Sequence, residues 1–338
     1  MGKIMKRILA ILWTAGILFC AVVPAYGKTA ASAPSGQGLF LYEEETAGET
    51  AGETAEAETA AEGTESGGAG ANIRAAENLP DVPCFIDYKE MIDSGLCTAI
   101  LVATPHYLHS PIAIYGFEKG MHVLSEKPAG VYTKQVEEMN EAAAKSGKVF
   151  GIMYNQRTNP KFQKMREIVQ SGALGELKRC VWIITNWYRT QAYYDSGTWR
   201  ATWAGEGGGV LINQCPHNLD LWQWIFGMPN KISAHCKYGR WHNIEVEDEV
   251  TAYAEYPNGA TGVFITTTGE CPGTNRLEIS GDKGKLVWED GKLTHWALET
   301  PEREFCFTCS EGFAQPKMTV TEIKTSRIVA MSFCEPRS

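Results

Sequence analysis

The 338-residue chain predicts an α/β unit with a parallel sheet, followed by an α+β unit built on a mainly antiparallel sheet. Three observations carry this. Between residues 87 and 153, short apolar runs alternate with helical patterns at the spacing of strand–helix–strand crossovers, which only parallel strands need. Beyond residue 175 the runs lengthen and become β-rich, with turns such as Pro257-Asn258-Gly259 and Asp290-Gly291 between them, the mark of hairpins. The first 72 residues show neither pattern.

Residues 1–28 are basic at first (Lys3, Lys6, Arg7), apolar over 8–23, and then read Pro24-Ala25-Tyr26-Gly27. This is the layout of a secretory signal peptide cleaved after Gly27, and the apolar run is short for a membrane-spanning helix. Phe19 before Cys20 argues against a lipoprotein signal. From 29 to 73 there is no Lys or Arg, while nine glutamates match the formal net charge of −9, so the remainder is close to neutral. The twofold Glu-Thr-Ala-Gly repeat from Glu45 offers too little apolar surface to offset ordering entropy. A disordered acidic linker over 29–72 is expected, and its charge speaks against nucleic acid or an anionic membrane as partner.

The first folded unit is expected over 73–155. Helices are predicted at 87–94, 111–119 and 133–146, and strands at 98–103, 122–125 and 148–153. In the third helix Thr133 is a natural N-cap, Val136, Met139, Asn140 and Ala143 repeat at three and four, and Gly147 ends it. The second unit, over 156–324, opens with a helix at 160–171. Strands follow at 176–188, 231–237, 249–256, 261–268, 276–280, 285–288 and 293–298, with a helix at 213–226 near the start of the sheet. One face of such a sheet is left over, which predicts pairing with another copy as a dimer or tetramer. Residues 325–338 form an irregular tail.

Two stretches carry chemistry. The apolar run Met121-His122-Val123-Leu124-Ser125 stops on Glu126-Lys127-Pro128. A strand of a parallel sheet ends at the carboxyl edge, where ligands bind, and Pro128 cannot donate to a ladder, so Lys127 faces a ligand crevice. The plain alternative is a solvated loop lysine. In the second stretch Gly207-Gly208-Gly209 permits a close backbone approach, and Asn213, His217 and Asp220, spaced by four and three, share one face of the predicted helix. Histidine as a residue type titrates near physiological pH, whereas a lysine needs desolvation to act as a base; His217 and Lys127 together make a proton-transfer pair. The alternative for His217 is a buried histidine satisfied by backbone.

These segments resemble the family of glucose–fructose oxidoreductase, inositol dehydrogenase and rhizopine-catabolism proteins (Gfo/Idh/MocA). The shared pieces are Ala103-Thr104-Pro105-His106 with His109, Glu126-Lys127-Pro128, Tyr154-Asn155-Gln156-Arg157, Trp199-Arg200, and Gly207-Gly208-Gly209 leading to Asn213-Gln214-Cys215-Pro216-His217-Asn218-Leu219-Asp220. The resemblance covers residues 73 to 324. It implies a partial Rossmann-like sheet lacking its first strands, NAD or NADP as cofactor, and a sugar or cyclitol as substrate. It assigns Lys127 and His217 to catalysis, flanking the carbon that gives or takes hydride. It places Thr104, Pro105, His109, Glu126 and Arg157 on the cofactor side, and Asn213, Arg200 and Trp199 against substrate. The family often has Asp where Asn213 stands; an amide orients a hydroxyl but cannot take its proton, which leaves the base role to Lys127 or His217.

No strand, glycine-rich turn and helix N-terminus for a pyrophosphate is legible ahead of residue 73. Gly68-Ala69-Gly70 has two of the three glycines and no strand before it. The strand at 98–103 is thus expected to lose a neighbour, and the chain to bind NAD(P) weakly. Family members are cytoplasmic, which conflicts with an export signal; the alternative function is an exported, catalytically inactive carbohydrate-binding or scaffolding protein. The ten cysteines are mostly isolated in apolar strands, as reduced packing thiols. Cys306-Phe307-Thr308-Cys309 lacks a second pair, and His106 and His109 lack further ligands, so no metal site is expected.

Overall fold

The computed structural model describes residues 19–22, by their backbone, together with 83 and 85–325. The rest of the expected export segment, the acidic linker and the tail beyond 325 lie outside the described residues. The chain divides into two units, one closing at Met153 and the other starting at Tyr154.

The first unit is a parallel sheet of β1 (Phe19–Val22), β2 (Ala99–Val102), β3 (His122–Ser125) and β4 (Phe150–Ile152), in that order. All four residues of β2 are buried, as an unbroken apolar run must be when helices cover both faces. In register, Val102 stands opposite Ser125 and Ser125 opposite Ile152, so the strands end level and their following loops share the carboxyl edge. Helices α1 (Tyr88–Asp93), α2 (His109–Glu118) and α3 (Thr133–Ser146) flank it. Ile92, Ile100, Ile112, Phe117, Val123 and Met139 make the core.

Two details differ from the sequence expectation. The edge of β2 left without a neighbour is occupied by β1, which pairs with it in parallel from Phe19–Ala99 to Val22–Val102. In α3 the N-cap is the extended Tyr132, and Thr133 is the first helical residue. Gln135 explains the shift: its Oε1 reaches back to accept the Val131 N–H at 3.0 Å, so the approaching loop is tied down one residue earlier. Gly147 closes the helix in the left-handed region at φ 63°, where glycine carries no penalty.

The second unit is an eight-stranded sheet: β5 (Leu177–Ile184), β6 (Lys231–Tyr238), β7 (Glu247–Glu255), β8 (Thr261–Thr267), β9 (Asn275–Gly281), β10 (Gly284–Glu289), β11 (Lys292–Leu298) and β12 (Met318–Glu322). The spatial order is β12-β11-β10-β9-β5-β8-β7-β6, with only β5 and β8 parallel. The β10–β11 turn places Asp290 at φ 49° and Gly291 at φ 70°, the backbone of a type I′ hairpin that Asp-Gly favours. Helices α4 (Pro160–Gln170) and α6 (Pro216–Phe226) supply apolar side chains to one core with the sheet, including Phe162, Met165, Trp182, Leu221 and Phe264. Two shorter helices, α5 (Gln191–Asp195) and α7 (Glu302–Thr308), complete the unit. On the other sheet face Val181, Ile183, Val263 and Ile265 are only half-buried.

The helix expected over 213–226 starts at Pro216, with Cys215 as N-cap, so Asn213 is not on it. Glu247 accounts for the difference. Its carboxylate accepts the Gly209 and Leu211 N–H groups at 3.0 and 3.1 Å, and its carbonyl accepts that of Val210 at 2.9 Å. This holds the segment as a turn against β7. A Cβ on Gly209 would lie 2.0 Å from the Glu247 carbonyl oxygen, which explains the glycine. Pro216, lacking an N–H, then opens the helix.

Candidate active site

In the first unit the candidate residues lie on the loops beyond β2 and β3. His109, only 1% exposed, stands between them: Nδ1 is 2.7 Å from the Pro128 carbonyl and Nε2 is 2.6 Å from that of Thr104. Both ring nitrogens thus face backbone carbonyls, a neutral ring donating to one of them, so His109 bears on anything bound there through the loops it contacts. Burial pushes its pKa down, against the pull of the two carbonyls. Thr104 Oγ1 is buried and has no protein partner among the described residues, an orphan that a polar ligand atom would satisfy. Pro105 follows in extended backbone (φ −54°, ψ 148°). Glu126 accepts the Lys127 N–H at 3.2 Å, and burial raises its carboxyl pKa above the usual range. Lys127 is half-buried just beyond the end of β3.

In the second unit the turn Asn155–Thr158 packs along one face of α6. Arg157 donates in a fork to Asp220, and the Tyr154 ring meets the His217 ring edge-on with centroids 6.1 Å apart. His217 and Asp220, three apart on the helix, therefore receive Tyr154, just before the turn, and Arg157 within it. Arg157 also lies 5.5 Å over the Trp224 ring. Its guanidinium is largely committed inside its own unit. Burial, with the Asp220 charge beside it, raises the Tyr154 phenol pKa.

A second cluster gathers the residues expected against substrate. The Tyr193 hydroxyl lies 2.8 Å from Arg200 Nη1, 3.2 Å from Asn213 Nδ2 and 3.3 Å from Gln214 Nε2. Arg200 stacks over the Tyr193 and Trp199 rings at 4.6 and 5.0 Å. Asn213 also donates to Glu206, a carboxylate only 1% exposed. The structure thus unites Asn213, Arg200 and Trp199, and adds Tyr193, Gln214 and Glu206, which sequence reasoning missed. The one available signal was an acid set among glycines in Gly205-Glu206-Gly207, ordinarily read as a solvated loop charge. Among the described residues no group of three or more His, Cys, Asp or Glu side chains is placed to hold a metal ion.

Comparison with known proteins agrees with this architecture. The family model described as oxidoreductase family, NAD-binding Rossmann fold, matches residues 57–154, and that of the GFO/IDH/MocA C-terminal domain matches 162–287. The trans-1,2-dihydrobenzene-1,2-diol dehydrogenase of Bos taurus is 32% identical over 257 residues, 72% of this chain and 73% of the bovine protein. Its Mus musculus counterpart is 30% identical over 211 residues, and the chain spans 59% of that protein's length. A crystal structure of the WlbA dehydrogenase from Chromobacterium violaceum, in complex with NADH and UDP-GlcNAcA, is 28% identical with a TM-score of 0.63, covering 69% of this chain and 68% of that one. Levoglucosan dehydrogenase in complex with NADH and levoglucosan, at 21% identity and a TM-score of 0.61, shares the fold over 74% of this chain and 68% of its own. The chain belongs to the Gfo/Idh/MocA family of oxidoreductases, whose first domain is an NAD-binding Rossmann fold.

Proposed function

We propose that this chain is an NAD(P)-dependent oxidoreductase acting on a CH–OH group of a sugar or cyclitol. The observation that carries the reading is the position of Lys127, one residue beyond Glu126 at the carboxyl edge of a parallel sheet, in a member of an NAD-binding family. Relatives named for a dihydrodiol and for levoglucosan support a polyhydroxylated substrate.

Thr104, Pro105, Glu126 and, through the loops it ties, His109 would hold the nicotinamide side of the cofactor; the orphaned Thr104 hydroxyl fits such a group. Arg157 serves less directly, by fixing the turn that follows β4. The nicotinamide, when bound, exchanges the carbon-bound hydrogen with its electron pair. Lys127 and His217 are the groups that take or return the hydroxyl proton; Asn213, Arg200 and Trp199 orient the substrate. The half-buried apolar sheet face around Ile183 and Val263 seats a second copy.

The test is turnover by the purified full-length chain with NAD or NADP and, in turn, levoglucosan, D-glucose and myo-inositol, followed by nicotinamide absorbance. Reduction of the cofactor with one of them is expected. A folded chain that reduces neither cofactor with any of the three and binds no NADH in a fluorescence titration sinks the reading, and retained sugar binding would then select the inactive exported protein.

A further inference from the structure

The Glu206 carboxylate is buried, and each of its oxygens has a distinct task. Oε2 accepts the Ala201 N–H at 2.6 Å, and Oε1 accepts from the Asn213 amide. Ala201 is one of two non-glycine residues with positive φ among those described, at 51°, and it is itself buried. An alanine reaches the left-handed region against a steric penalty and stays there only where surroundings hold it. The holding group is Glu206, and the residue just before is Arg200, whose guanidinium is thereby delivered over Tyr193. Asn213 arrives at the same hydroxyl from the other side.

The chemistry of these groups fixes their orientation. Asn213 turns its NH₂ toward both partners, one hydrogen on Glu206 Oε1 and the other on the Tyr193 hydroxyl. Arg200 can only donate. Gln214 Nε2 donates to the same hydroxyl at 3.3 Å. An aspartate in place of Asn213 would put a second carboxylate against Glu206, and two such groups cannot both ionise at that range.

We propose that Glu206 is the positioning and specificity-determining residue of the substrate side: by holding the Ala201 N–H and the Asn213 amide together, it sets Arg200 and Asn213 around the Tyr193 hydroxyl and requires an amide at position 213. The functional half of this rests on the dehydrogenase reading above; the hydrogen-bond half does not.

The test exchanges polarity across the pair in the full-length chain, with Glu206→Gln, Asn213→Asp and the double variant. Asn213→Asp opposes two acids. Glu206→Gln leaves one oxygen to serve two donors. In the double variant the introduced amide keeps its oxygen on the Ala201 N–H and donates to the introduced carboxylate, which restores both links. Each single variant is expected to raise the KM for levoglucosan, or for whichever of the three probes wild type turns over, roughly tenfold with kcat within roughly threefold, and to lower the melting temperature. The double variant is expected to recover both to within roughly threefold in KM and most of the melting loss. A double variant no better than the worse single in either measure overturns the proposal. If wild type turns over none of the probes, the dehydrogenase reading fails by itself, and the melting cycle still decides: recovery supports the Glu206 link, and additive losses overturn it.

Discussion

Arg157 and Asp220 meet side-on, Nε 2.6 Å from Oδ2 with Nη2 on Oδ1, so the turn following β4 is fastened to α6 by a planar fork. The Asp220 side chain is 4% exposed and that of Arg157 28%, so the acid is the partner that could not stand alone. Arg157→Lys keeps the charge but loses the bidentate match. It is expected to destabilise by about 2–3 kcal/mol, below the roughly 3–5 kcal/mol for a fully buried pair because Arg157 retains solvent contact. Denaturant unfolding of the two proteins measures this, and equal midpoints would show that the fork does not fasten the turn.

Lys127→Met is expected to abolish turnover while the melting temperature changes little, since the side chain is half-buried on a loop rather than in a core. His217→Gln is expected to lower kcat with the fold intact. Retained turnover in Lys127→Met refutes its role in proton transfer.

Gly209→Ala is expected to cost about 3 kcal/mol or more, because its Cβ would meet the backbone of Glu247 rather than a side chain that can swing away. Gly312, with open space around it, serves as control, and its alanine variant is expected to melt as wild type does. A Gly209→Ala protein as stable as the control would show that the turn is not pressed against β7.

Acid is expected to weaken the fold through its histidines. Burial lowers the pKa of His109, His122 and His295, and His122 Nδ1 accepts the Val149 N–H at 2.9 Å, a bond that protonation there removes. A histidine with a depressed folded pKa contributes stability that is complete above the unfolded value of about 6.5 and is lost as pH falls toward the folded value. Melting temperature should therefore drop below about pH 6.5, and His109→Gln, though less stable at neutral pH, should show a shallower drop. An unchanged slope in that variant would remove His109 from the account.

The open sheet face supplies the last prediction. Ile183 stands opposite Ile265 on β8, in the middle of that face. Sedimentation of the wild type is expected to show a dimer or larger, and Ile183→Glu to shift it toward monomer. A wild-type monomer at micromolar concentration would leave the face unpaired.

Most of the fold was legible because its signals are local. The β10–β11 hairpin is written in Asp290-Gly291, and the run over 99–102 has no polar residue to offer solvent. What the sequence did not show depends on distant partners. The four-and-three spacing of Asn213, His217 and Asp220 suits a helix, but Glu247, remote in sequence, holds residues 209 to 211 in a turn against β7, and the helix opens only at Pro216. Arg157 looks available in its motif, and its acid lies 63 residues away. Glu206 reads as a surface charge until Ala201 and Asn213 close around it. The place of Lys127 just beyond β3 was legible because a strand's end is itself a local event.

The placement of β5 has a consequence for how this architecture can change. As the earliest strand of its sheet in the sequence, it sits in the interior, and later strands were laid down outward on either flank: β8, β7 and β6 to one side, β9 to β12 to the other. Each flank ends in a strand whose residues are nearly all open to water. Lengthening, trimming or replacing an outermost strand therefore leaves the seam and its helices untouched, so descendants can remodel either margin independently while the chemistry stays put.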